Sequence, residues 1–218
     1  MTFDIGVHRV SLIVPDGWQH YDHGREHRLE TGEGDLVLTD LGPVEADGYR
    51  TVILEARDLT RKGQREEAKQ LLNGIAWGNV IGDDAPGAAL EECLDAVGRD
   101  ERLATAEAAF APLLDQLDRL PEPDLATLAS GALADFDHGP RRDIERRERL
   151  VVGGEAAYRI LTWQRLTHDG RRRHVFVVNR GNLLVIRTAM GPDDVLGPAF
   201  DTVVRSVVFV EPEAQSTR

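Results

Sequence analysis

A chain of 218 residues with 41% hydrophobic and 29% charged residues carries enough apolar material for a substantial core, which excludes wholesale disorder. Its net charge of −12 repels phosphate backbones and anionic headgroups, which argues against nucleic acid and membrane surfaces as partners. Cys93 is the only cysteine, so no intramolecular disulfide forms and a reducing compartment fits. No basic-then-apolar leader opens the sequence and no run of ~18 apolar residues interrupts it. The expectation is a cytoplasmic protein without membrane insertion.

The first third reads as strands separated by Gly, Pro and Asp. Arg9 to Val14 alternates and runs into Val14-Pro15-Asp16-Gly17-Trp18. Pro15 cannot donate to a ladder and Gly17 permits a sharp turn, so the chain leaves the sheet there and swings Trp18 back over its end as a lid on the core. Such an aromatic buries on the order of 200 Å², with a partner contact as the competing role. Next comes WQHYDHGREH, where His20, His23 and His27 stand with Asp22 and Glu26. Imidazoles and carboxylates hold zinc when they converge, but this spacing is not a known ligand pattern and Gly24 breaks a helix. A polar surface loop is the favoured reading and a metal site the alternative. Further strands are expected at Asp35 to Thr39 and Tyr49 to Ala56.

From about Thr60 to Phe136 the apolar period changes to 3.6, which predicts helices. Ala68, Leu71, Leu72 and Ile75 share one stripe; Leu90, Leu94 and Val97 share the next, with Cys93 as a small buried hydrophobe whose pKa the neighbouring Glu91 and Glu92 raise. Asp83 to Gly87 supplies a turn between them. Leu103, Ala106, Phe110, Leu113, Leu117 and Leu120 form a long stripe that Pro112 must kink or split into two abutting helices. Pro121-Glu122-Pro123 stops it.

Strand period returns near residue 144. Arg141 to Arg149 holds five Arg against three carboxylates, and reads as a solvated strand or helix flank laced with ion pairs. The run ERLVVGGEAAYRILTWQRL predicts a long strand interrupted at Gly153-Gly154 by a bulge or a tight bend. A hairpin follows, Val175 to Val178 and Leu183 to Arg187 around a tip at Asn179 to Asn182, expected to be the longest in the sheet. A last helix carries Leu196, Phe200, Val203 and Val204, and Ser206 to Phe209 closes as a strand. His138, His168 and His174 are scattered, and His168-Asp169-Gly170 has the form of a turn.

Taken in order, the strand ending in Val14-Pro15-Asp16-Gly17-Trp18, the strand entry Gly154-Glu155-Ala156-Ala157-Tyr158, the apolar hairpin around Asn179 to Asn182 and the helix leading into Ser206-Val207-Val208-Phe209 resemble the PsbP-like fold. DcrB-type bacterial proteins and a eukaryotic cofactor of the Ran GTPase share that fold. The resemblance spans residues 8–58 and 144–210 and leaves the helical section between them unmatched. It implies an α+β class, with an antiparallel sheet packed by helices in a PsbP-like α/β/α sandwich. It also implies action by binding, as photosystem subunits, GTPase cofactors or chaperones act. The expected organisation is a single domain over 1–218, with one sheet core shared by 8–58 and 144–210 and a helical insertion at 60–136.

No phosphate-cradling loop, nucleophile elbow, HExxH or paired CxxC occurs, and no cofactor is implied. The functional expectation is a bacterial, non-catalytic binding protein acting on a protein partner as an adaptor or chaperone. The excess of Arg over Lys suggests the origin. The partner is expected at Trp18 and on the stripe of Leu103, Leu113 and Leu117, unless those leucines pack inward. Two alternatives stay open: a metal-dependent hydrolase using His20 to His27, and a carrier of a small apolar ligand.

Overall fold

The computed structural model describes residues 1–77, 87–98, 103–117, 124–136, 142–164, 170–189 and 192–211. The chain begins with β1 (Thr2–Ile5), β2 (His8–Ser11), β3 (Gln19–Asp22), β4 (Glu26–Thr31) and β5 (Gly34–Pro43). Six helices follow: α1 (Ala46–Arg61), α2 (Arg65–Trp77), α3 (Gly87–Gly98), α4 (Leu103–Ala108), α5 (Phe110–Leu117) and α6 (Leu125–Phe136). Then come β6 (Arg142–Val152), β7 (Glu155–Gln164), β8 (Arg171–Asn179), β9 (Asn182–Thr188), α7 (Asp193–Ser206) and β10 (Val208–Phe209). They divide into two compact units, one of residues 1–41, 125–179 and 183–218, the other of 42–124 and 180–182.

The first unit is α+β. Its strands form a three-stranded sheet ordered β1-β2-β10 and a seven-stranded sheet ordered β3-β4-β5-β9-β8-β7-β6, with antiparallel pairing at β1–β2, β2–β10, β3–β4, β4–β5, β6–β7 and β7–β8. Every second residue of the long strands enters one core: Leu36 and Leu38, Val175 and Val177, Leu184 and Ile186. Phe3, Ile5 and Val10 from the small sheet and Phe200, Val203 and Val204 from α7 complete it. The expected stripe of α7 is thus its buried face. Helix α6 packs on β7 and β8 with Leu128, Ala129, Ala132 and Leu133 buried.

First and last thirds of the chain do share their sheets, but in two sheets where one was expected. The ladder of β2 ends at Ser11, short of the Val14 expected, and Pro15, with no N–H to donate, keeps the chain from resuming it before β3, which joins the other sheet. Of the bulge or tight bend expected at Gly153 and Gly154, the structure has the tight bend, and it reverses the chain. Both glycines have positive φ, +60° and +91°, the two-residue turn that matches strand twist, and Val152 pairs with Glu155 across it. The expected interrupted strand is therefore the hairpin β6–β7, longer than β8–β9, whose tip lies at Arg180-Gly181 as expected.

The second unit is helical. Tyr49 to Ala56, expected as a strand, lies inside α1, which moves the end of the strand section from 58 to 43 and the start of the helices from 60 to 46. The β-branched trio Thr51-Val52-Ile53 favours a strand locally, but the buried residues Tyr49, Ile53, Ala56 and Thr60 recur at helical spacing. Tertiary burial overrides the local preference. Ala68, Leu72, Leu90, Cys93 and Val97 join them in the core, and Phe110, Leu113 and Leu117 from α5 close it. The break between α4 and α5 falls at Ala109, so Pro112 sits in the first turn of a new helix, where its missing N–H costs little.

The turn at Asp83 to Pro86, Leu120, the stop at Pro121 to Pro123, His138, His168 and Asp169 lie outside the described residues, as do the side chains of Ile75 and Leu103.

Candidate functional site

Trp18 is partly buried and packs against the core of the first unit beside Val14, and its backbone N–H closes a tight turn on the Pro15 carbonyl at 3.2 Å. That is the lid geometry the Pro-Asp-Gly sequence implies. Leu113 and Leu117 are each 1% exposed and belong to the core of the helical unit with Phe110. A partner reaches them only if the helices part. Cys93 is fully buried, and burial itself, with no contribution from Glu91 or Glu92, pushes its thiol up to about 12.

The histidine segment forms a hairpin instead of a loop. On β3 and β4 the pairs are His20 with Leu29 and Asp22 with His27, so His20 and His27 are diagonal neighbours on one face. His20 Nε2 lies 2.8 Å from His27 Nδ1, and the rings stack with centroids 5.0 Å apart. His27 Nε2 is 2.9 Å from the Asp4 carbonyl, which fixes the donor there and makes Nδ1 the acceptor for His20. Burial first, then the nearby His27, lowers the His20 pKa, with Asp22 opposing. His23 stands apart in the turn, exposed, its backbone N–H on the Glu26 carbonyl at 2.8 Å. Among the described residues no group of three or more His, Cys, Asp or Glu is arranged to hold a metal ion.

A second polar group lies deeper and had no motif to announce it. His8, 1% exposed, places Nδ1 3.3 Å from Asn179 Oδ1 and Nε2 3.6 Å from Asp40 Oδ1. Asn179 donates to Glu155 at 3.1 Å, and Asp40 accepts from the Val7 N–H at 3.3 Å. His8 belongs to the small sheet and its partners to the large one, so this chain of polar contacts joins the two sheets.

The feature open to another molecule is the edge strand β6. It lies last in the sheet order, with only β7 beside it among the described residues, and Asp143 to Arg147 and Arg149 are all exposed. Its register shifts between Ile144 and Arg146, a bulge of the kind that marks sheet edges. In a two-residue hairpin the closing pair exchanges both ladder hydrogen bonds, and the pattern alternates from there. Counting from Val152–Glu155, the N–H groups of Val151, Arg149 and Arg147 point away from β7.

The carboxylates of β6 are largely engaged within the sheet. Glu148 pairs with Arg146 at 2.7 Å and Arg159 at 3.1 Å, and Glu145 holds the Arg171 guanidinium at 3.0 and 3.1 Å. Arg171 lies over the half-exposed Trp163 ring, 5.8 Å from its centroid. Asp143, Glu145, Trp163 and Arg171 line a shallow depression of about 330 Å³. Of the ion-paired run expected from Arg141 to Arg149, the described part, Arg142 to Arg149, is a strand with ion pairs, and Arg141 lies outside the described residues. The strand's position at the edge becomes legible once Gly153-Gly154 is taken as a hairpin turn, because a strand charged on both faces suits only an edge.

The architecture is α+β, antiparallel sheets packed by helices. Among solved structures the chain is similar to the solution structure of cyanobacterial PsbP (CyanoP) from Synechocystis sp. PCC 6803, at 13% identity and a TM-score of 0.44, over 92% of this chain and 86% of that one. The likeness concerns fold alone. No protein-family model and no curated protein matches the chain. Among the described residues no helix is long and apolar enough to cross a membrane.

Proposed function

We propose that this is a non-catalytic binding protein of the bacterial cytoplasm that takes a protein partner by strand addition at β6. The observation that carries the reading is the edge strand itself: exposed from Asp143 to Arg147 and at Arg149 and Val151, bulged, and presenting a row of outward backbone groups. Such a row forms a ready ladder for an extended segment of another chain. Leu113 and Leu117 are packed in the core of the helical unit, so the reading looks to the edge instead.

The test is affinity capture from the source organism with the natural protein and with Arg147→Pro in parallel. Proline at 147 removes an outward N–H while sparing the ladder to β7. Melting temperature monitors folding, and Arg149→Pro serves if Arg147→Pro is unstable. The reading predicts proteins retained by the natural chain and lost by the edge variant. Identical retention by both contradicts it.

A further inference from the structure

The pairing of β3 with β4 sets His20 and His27 against Phe3 of β1. The buried Phe3 ring lies 4.2 Å from the His20 ring and 5.4 Å from the His27 ring, centroid to centroid. A carbonyl oxygen only accepts, so His27 Nε2 keeps its proton for the Asp4 carbonyl. His27 Nδ1 and His20 Nε2, 2.8 Å apart, then hold a single proton between them. His20 Nδ1 is the ring nitrogen of the pair with no hydrogen-bond partner among the described residues.

We infer that His20 is an acid-released cover on Phe3: the two imidazoles accept one further proton, on His20 Nδ1, with their contact intact, and a second, on His27 Nδ1, drives His20 away. This stands apart from the strand-addition reading. The first added proton leaves the shared one in place, so an imidazolium and an imidazole remain joined by a charge-assisted hydrogen bond. The second puts two protons into a gap that holds one, and sets like charges on rings stacked 5.0 Å apart. The His27 side chain is buried and tied to Asp4, whereas His20 is half-buried on β3, the first strand in the sheet order. His20 is therefore the ring that leaves, and Phe3 is bared at the sheet edge.

The charges around the pair set where this happens. Asp22 Oδ1 lies 3.4 Å from His27 Nε2. The Gly24 N–H donates to Asp22 at 2.7 Å and holds its carboxyl below the usual range, so Asp22 stays ionised while the histidines titrate and favours their protons. His23 stands near Asp22 at the turn, and the exposed Asp4 carboxylate is directed to Arg9 at 3.9 Å. From β5 the residue opposite His27 is the apolar Leu38. Burial and His27 hold the His20 pKa below its ordinary 6.5, which puts the first step already on the acid side of that value.

The experiment follows the full chain by NMR from about pH 8 to about pH 4, the range in which histidines titrate. It reads the protonation of the imidazole nitrogens, the contact between the Phe3 and His20 rings, and the amide protection of β5 and β8. Two steps are expected. His20 Nδ1 gains a proton while the ring contact persists; then His27 Nδ1 gains one and the contact is lost, with β5 and β8 still protected. Asp22→Asn, which keeps an acceptor for the Gly24 N–H, should move both steps to lower pH. Loss of the contact at the first step, or its survival with both rings fully protonated, overturns the inference. So does acid unfolding of β5 and β8 before the second step, or an Asp22→Asn chain whose steps stay where they were.

Discussion

The Arg173 guanidinium clasps the Asp193 carboxylate at two points, Nε to Oδ1 at 2.7 Å and Nη2 to Oδ2 at 3.1 Å. Asp193 opens α7 and Arg173 lies in β8, so the pair pins the helix to the sheet at the mouth of the core. Asp201, one side of the same helix, reaches Arg173 at 3.4 Å and Arg159 at 3.3 Å. Hydrogen bonds to charged groups of this kind contribute about 1.5–3 kcal/mol. Asp193→Asn should lower stability by about that amount, read from the urea midpoint at unchanged slope.

Gly197 belongs to the same arrangement. A Cβ there would lie 2.6 Å from Arg173 Nη2, so only glycine lets the guanidinium cross the helix. Gly197→Ala should destabilise the natural protein. In an Arg173→Ala background the same change should stabilise it by about 0.8–1 kcal/mol, the ordinary helix preference of alanine over glycine. Additive effects in the double-mutant cycle would dissociate Gly197 from Arg173.

Acid should weaken the first unit through His20. Burial and His27 hold its folded pKa below the ordinary 6.5, so between that value and the lower folded one the unfolded chain binds the proton more readily. The contribution is complete above pH 6.5 and is lost as pH falls through the folded value. His20→Phe should flatten the decline of the urea midpoint from pH 7 to pH 5; an unchanged slope would place the acid sensitivity elsewhere.

Inward leucines and a buried thiol make the helical unit easy to probe. Leu113→Ala and Leu117→Ala should each cost about 2–5 kcal/mol, as large-to-small changes in packed cores do, without altering capture by the folded protein. Cys93, its thiol pushed up to about 12, should resist a disulfide reagent at pH 8 and react in step with unfolding. Rapid labelling of the native chain would show an open route to α3.

These packed positions are also where the sequence was most legible. The α7 stripe, the α4–α5 break before Pro112 and the β8–β9 tip follow from period and turn chemistry, and each lies where the structure has it. Tyr49 to Ala56 was misleading because three β-branched residues obscure a helical burial period. Gly153-Gly154 admits a bulge or a turn from sequence alone, and the choice decides whether β6 is an interior run or an edge. The His8–Asp40–Asn179 contacts join residues up to 171 positions apart, and no local spacing reports such a pairing. His20 and His27 met because a hairpin, not a helix, sets their diagonal approach.

Amide hydrogen exchange on the protein bound to a captured partner tests the central claim most directly. Strand addition at β6 predicts that the outward N–H groups of Arg147, Arg149 and Val151, fast to exchange in the free chain, become protected in the complex while the inward amides of the same strand change little. Protection confined to other elements, with those three amides exchanging at their free rates, would contradict it.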